Sequence, residues 1–87
     1  MKSIWKVQID STNYRVEVQY GGMFSYGSGK VIVGNKTVDK WGPSRWGLIP
    51  RERTFEIAGK KATLQRTGSL FLGYELMVPG ATSVVKV

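Results

Sequence analysis

The chain reads as an all-β protein, an eight-stranded antiparallel β-sandwich of two four-stranded sheets built from hairpins, with a small closed β-barrel as the alternative. Three observations predict this. Apolar and polar residues alternate with a period of two in one segment after another. Turn residues separate these segments at short intervals. No run of ten or more residues carries a helical period.

In IWKVQI (4–9), Trp5, Val7 and Ile9 share one face and Lys6 and Gln8 the other, the pattern of a half-buried strand. Asp10-Ser11-Thr12-Asn13 is turn chemistry, because short polar side chains bond nearby backbone amides. YRVEVQY (14–20) then sets Tyr14, Val16, Val18 and Tyr20 inward, completing a hairpin. The glycine-rich stretch 21–29 reads as a loop. KVIVGNKTV places Gly34-Asn35 between two β-branched runs, a tight hairpin whose central residues are expected at positive φ. Prolines 43 and 50 exclude a helix across KWGPSRWGLIPRER (40–53), which is expected to be the one long connection, parting the strands four and four. A third hairpin follows: Phe55 and Ile57 face inward in RTFEI, Ala58-Gly59-Lys60 turns, and Ala62 and Leu64 face inward in KATLQRT. LFLGYELMV (70–78) is apolar on both faces, as a central strand or an interface strand would be. After the turn Pro79-Gly80-Ala81, TSVVKV is a short eighth strand.

A chain of 87 residues builds a single domain, 1–87, and buries roughly 60 to 65% of its unfolded surface. Its ten aromatic residues are therefore expected to carry a large share of the core. Having neither cysteine nor histidine, it offers no disulfide, no thiol nucleophile and no imidazole or thiolate metal ligand. No metal, cofactor or small-molecule substrate is expected. The alternating N-terminus carries no hydrophobic signal segment, and no stretch approaches the roughly 18 apolar residues of a membrane span, so a cytoplasmic protein without membrane attachment is expected.

No catalytic residue emerges from the six acids. Glu17, Glu56 and Glu75 take outward strand positions and Asp10 and Asp39 lie in or beside turns, where solvated carboxylates keep ordinary pKa values. GMFSYGSGK (22–30) is no phosphate-binding loop, because Phe24 replaces the required glycine and a strand follows instead of a helix.

Charge is the more informative signal. Thirteen basic residues face six acids, and nine of the former against three of the latter fall between Lys30 and Arg66. Such a field attracts nucleic acid or acidic proteins, or serves solubility. Within it, Trp41, Arg45, Trp46, Arg51 and Arg53 combine π faces with guanidinium groups, as single-strand nucleic-acid platforms and acidic-peptide sites do. The competing reading has both tryptophans capping one end of the core while the arginines stay solvated.

Trp5 opening an alternating strand, YRVEVQY, the strand 29–33 with its Gly34-Asn35-Lys36 hairpin, Phe55 to Gly59, and Gly73 to Gly80 together resemble the repeat of the Fas apoptotic inhibitory molecule family. The resemblance spans most of the chain and implies an eight-stranded antiparallel β-sandwich that has no catalytic activity and works in protein–protein interaction. Members of the animal family are cytoplasmic regulators of cell survival with a protective effect against protein aggregation. The animal proteins hold two such modules where this chain has one, and Gly34-Asn35 stands at the family's usual Asp-Gly turn. The fold is carried over and the pathway is not; no family site residue maps onto this sequence. A non-enzymatic module with a protein partner or with self-association is the leading expectation, and nucleic-acid binding through the basic central segment the alternative.

Overall fold

The computed structural model describes residues 1–20, 27–43, 49–67 and 73–87. Among them are eight strands: β1 (Lys2–Ile9), β2 (Thr12–Tyr20), β3 (Gly29–Val33), β4 (Lys36–Trp41), β5 (Glu52–Ile57), β6 (Lys60–Thr67), β7 (Gly73–Met77) and β8 (Ser83–Lys86). All pairings are antiparallel.

The strands divide five and three, not four and four: the first sheet runs β4-β3-β2-β1-β8 and the second β5-β6-β7. The hairpin β1–β2 uses only one edge of β1, leaving the other open to a late strand. A turn closed by Ala81 N–H on Val78 O reverses the chain after β7, and Thr82 N–H donates to Gln8 O, which leads β8 onto that open edge. No ladder joins β4 to β5 or β7 to β8 among the described residues, so the sheets do not close into a barrel. Strand β7 is an edge strand there, not a central one, and within it the exposed Glu75 alternates with the buried Tyr74 and Leu76. The remainder of the expected two-faced apolar strand, residues 70–72, lies outside the described residues.

Both sheets contribute to one core. Val7, Val16, Val18 and Val31 from the first and Ile57, Leu64 and Tyr74 from the second are almost fully buried. Burying a side chain of this size contributes about 1.5 to 3 kcal/mol. The turns are shorter than the sequence suggests, with Thr12, Asn13 and Lys60 already in strands. Asp10 and Ser11 (φ 48° and 69°) and Ala58 and Gly59 (φ 50° and 79°) each have both central residues at positive φ. These are the two-residue turns whose twist matches the strands they join. Between β3 and β4 only Gly34 (φ 62°) is left-handed and Asn35 is not, the turn form that needs glycine at its first central position.

One irregularity decides which way the end of β4 faces. A bulge between Val31 and Ile32 shifts the β3–β4 register by one residue. Continued unshifted from Val33↔Lys36 and Ile32↔Thr37, the ladder would set Lys30 opposite Asp39; with the bulge, Asp39 faces Val31 and Lys40 faces Lys30. Because side chains alternate, this one-residue slip sends Asp39 to the inner face and Lys40 to the outer.

Candidate binding surfaces

The connection expected over 40–53 is shorter at both ends, since Lys40 and Trp41 close β4 and Glu52 and Arg53 open β5. Of the five residues singled out there, Arg45 and Trp46 lie outside the described residues. Trp41 and Arg53 come together, and Arg51 is exposed beside them in the chain.

Trp41 is buried and its indole Nε1–H donates to Gly27 O at 2.9 Å. The ring packs against Gly29, where an added Cβ would collide with it and with the Gln19 carbonyl. Its other neighbour is Tyr74, edge-on at 6.0 Å between centroids, and Tyr74 meets Tyr20 at 5.1 Å in the same manner. These three aromatics join the ends of β2, β4 and β7. Trp41 thus takes the capping position of the two foreseen, its faces already covered.

Arg53 is likewise engaged. Its Nε and Nη2 donate to the two carboxylate oxygens of Asp39 at 2.9 and 2.7 Å, and the guanidinium carbon stands 5.5 Å from the centre of the Trp41 ring. The Asp39 hydrogen bonds, outweighing desolvation, raise the Arg53 pKa further, so the guanidinium stays charged. Asp39 is thus the clasp between β4 and β5 and not a solvated carboxylate beside a turn. The bulge that turned it inward makes this pair possible.

The far end of the connection is fixed from the second sheet. The Tyr74 hydroxyl donates to Pro50 O at 2.7 Å, Arg66 Nη1 donates to Ile49 O at 2.9 Å, and Arg66 N–H donates to Arg51 O at 2.7 Å. Burial above all pushes the Tyr74 phenol up to about 12.

The outer faces carry much of the remaining charge, and cross-strand partners share a face. On the first sheet Lys2 pairs with Gln19, Gln19 with Lys30 and Lys30 with Lys40, a row across four strands. Lys6 and Arg15 face each other on the same side. Five cations there accompany one carboxylate, Glu17. Glu17 is buried between its neighbours, accepting from Gln19 Nε2 at 2.6 Å and pairing with Arg15 Nη2 at 3.0 Å. The Gln19 hydrogen bond first, and then Arg15, hold it below the usual carboxylate range against the opposing effect of desolvation, unlike the ordinary value expected. The second sheet has the opposite character: Glu52, Glu56 and Glu75 face outward with Lys61 alone as a cation among the described residues. Where the lysine row reaches the end of the first sheet it borders an open groove of about 620 Å³, with Tyr20, Gly29 and Trp41 also in its walls.

The row of Lys2, Lys30 and Lys40 is not apparent from the sequence. Its one visible signal is the near-symmetry of Lys30 and Lys40 about the Gly34-Asn35 turn, and without the bulge that symmetry pairs Lys30 with Asp39. Among the described residues no three carboxylates come together as a metal site would require. No helix among them is long and apolar enough to cross a membrane.

Fold and surfaces together define a small all-β domain of two antiparallel sheets with outer faces of opposite charge. Comparison of the chain with protein-family models, with curated proteins and with solved structures returns no match.

Proposed function

We propose that the chain is a non-enzymatic interaction module, a β-sandwich of the kind its resemblance to the Fas apoptotic inhibitory molecule repeat implies, and that it associates with a second copy of itself through β8. The observation that carries this reading is the five-to-three division of strands. It leaves β8 as an outer strand of the larger sheet, its far edge unpaired among the described residues, with Val85 57% and Val87 81% exposed. An open edge presents N–H and C=O groups to any strand that can lie beside it, and two copies related by a two-fold axis present the same edge to each other. The strand is four residues long, and its Lys86 points inward with Nζ 5.7 Å from the Trp5 ring centre. A short edge strand with an inward charge pairs weakly. The association is therefore a reversible one.

Sedimentation equilibrium over a hundredfold range of concentration tests it. A monomer–dimer equilibrium is expected, and Val85→Lys, at an exposed position that the core does not use, returns the chain to monomer with its thermal unfolding unchanged. A chain that stays monomeric throughout, or a Val85→Lys variant that dimerises as well as the parent, refutes the reading.

A further inference from the structure

We propose that the outer face of the five-stranded sheet binds the phosphate backbone of nucleic acid, with Lys2, Lys30 and Lys40 as the contacting residues. The site is a face of the first sheet and not the connection between the sheets, and it does not depend on association through β8.

The lysine row has the length that such a backbone requires. Adjacent strands stand about 4.8 Å apart, so the row from Lys2 to Lys40, crossing three inter-strand gaps, spans about 14 Å at the backbone. One nucleic-acid strand carries a phosphate about every 3.4 Å along a duplex axis, so the row is long enough to lie along about four of them. All three lysines are exposed.

The row also carries an unrelieved repulsion. Lys30 and Lys40 are direct cross-strand partners, and so are Lys6 and Arg15. Like charges set opposite each other oppose pairing, an unfavourable term on the order of 0.2 to 1 kcal/mol for each pair. For Lys6 and Arg15 the repulsion is eased by Glu17, which engages Arg15. No described carboxylate forms an ion pair with Lys30 or Lys40. Their repulsion is relieved by an anion from outside the chain, and the bulge that creates the pair also withdraws Asp39, the nearest carboxylate in sequence, to the inner face.

Charges of opposite sign are sorted onto opposite faces. The carboxylates of the second sheet face away on the other side of the core, so a polyanion approaching the first sheet meets cations and the one already satisfied carboxylate. Between the cations stand Ile4, Ile32, Gln8, Asn13 and Thr37, and no described aromatic residue. Tyr20 and Trp41, in the walls of the groove that the row borders, are buried against the core and offer no free stacking face, and base-reading groups are few, so the face holds the backbone without regard to sequence. Ile4 and Ile32 are half-buried, and the exposed apolar residue within the strands of this face, Val85 opposite Lys6, stands on β8 at the edge farthest from Lys40, so the lysine row itself carries no protruding apolar wedge and favours nucleic acid over a lipid surface.

The test is fluorescence anisotropy of a labelled twenty-nucleotide oligothymidylate titrated with the full chain between 25 and 200 mM salt. The logarithm of the binding constant should fall linearly with that of salt, and three single-strand phosphate contacts give a slope of about −2. Lys30→Gln and Lys40→Gln should each reduce the slope by about 0.7, whereas Lys61→Gln on the second sheet should leave it unchanged. Urea unfolding of the same variants confirms that each is folded. Three outcomes overturn the proposal: a flat salt response, an equal loss in Lys61→Gln, and a slope that survives Lys40→Gln but falls in Arg51→Ala. Vesicles containing phosphatidylserine serve as the second probe, and binding to them without binding to the oligonucleotide also overturns it.

Discussion

The two sheets share one core but turn different outer faces to solvent. Among the described residues, five cations surround a single hydrogen-bonded carboxylate on the first, and three carboxylates accompany one lysine on the second. Inward they are alike, with valines, isoleucine, leucine and tyrosine meeting across the same interior. Alternation makes this possible, because each strand assigns one parity to the core and leaves the other free to vary. The net charge of +7 is thus not spread evenly, and a chain read only by composition hides an acidic surface. Beyond that shared core the two sheets are clasped at one corner, where Trp41, Tyr74, Arg53 and Asp39 join β4, β5 and β7.

If that corner makes the sheets one folding unit, Trp41→Ala has the largest effect. Truncating a buried tryptophan costs about 3 to 5 kcal/mol, a large part of the stability of a domain this small. Urea titration followed by circular dichroism should show a single transition at a much lower midpoint. Trp41→Phe, which keeps a ring on Gly29 but gives up the bond to Gly27 O, should lose less and remain folded. Two separate transitions in either variant would show that the sheets are independent and that the shared core is not cooperative.

Asp39→Ala has the next largest effect. It leaves the Arg53 guanidinium against Trp41 without its carboxylate, in a place about one-third exposed, and should cost about 1 to 2 kcal/mol. Glu56→Ala, an exposed carboxylate on the outer face of β5, should change stability by less than about 0.5 kcal/mol. Equal effects would mean that the inward turn of Asp39 has no energetic consequence. Tyr74 at the same corner adds a pH signature. Its pKa is raised from 10 to about 12, so the stability held by the neutral phenol is complete below pH 10 and is lost as pH rises towards 12. Tyr74→Phe should be less stable than the parent at pH 7 and should show a shallower decline between pH 10 and 12. Glu17 on the first sheet has the opposite sign. Its lowered pKa contributes stability that is present above the ordinary carboxylate range and lost as pH falls through its folded value.

The strands themselves were legible because half-buried strands announce themselves by alternation, and every inward assignment in β1, β2, β5 and β6 from Trp5 to Leu64 matches burial or partial burial. The partner of β8 was not legible. Pairing with β1 joins residues some 80 positions apart, and nothing in TSVVKV distinguishes that edge from one on the second sheet. The site was legible in part. Trp41 and Arg53 stand among the five residues that the sequence points to, with Arg45, Trp46 and Arg51, yet the role of these two turns on Asp39, whose facing depends on the bulge. A bulge leaves little trace in sequence, since it needs no special residue here, and it reverses the parity of everything beyond it. The place of Lys40 in the lysine row is hidden for the same reason.

The smallest effect tests the charge contrast most directly. Lys40→Gln removes one member of an opposed like-charge pair, so at low salt it should raise stability by a few tenths of a kcal/mol even as it weakens binding to a polyanion. Glu75→Gln on the second sheet removes a charge whose direct partner is the neutral Gln65, and it should leave stability unchanged within error. Salt separates this from a packing effect: at 1 M the Debye length is about 3 Å, and the gain in Lys40→Gln should disappear. A gain that survives high salt would be one of strand propensity. Equal gains in both variants would mean that neither face carries a repulsion of its own, and the cost assigned to the Lys30–Lys40 pair would no longer point to an anion that relieves it.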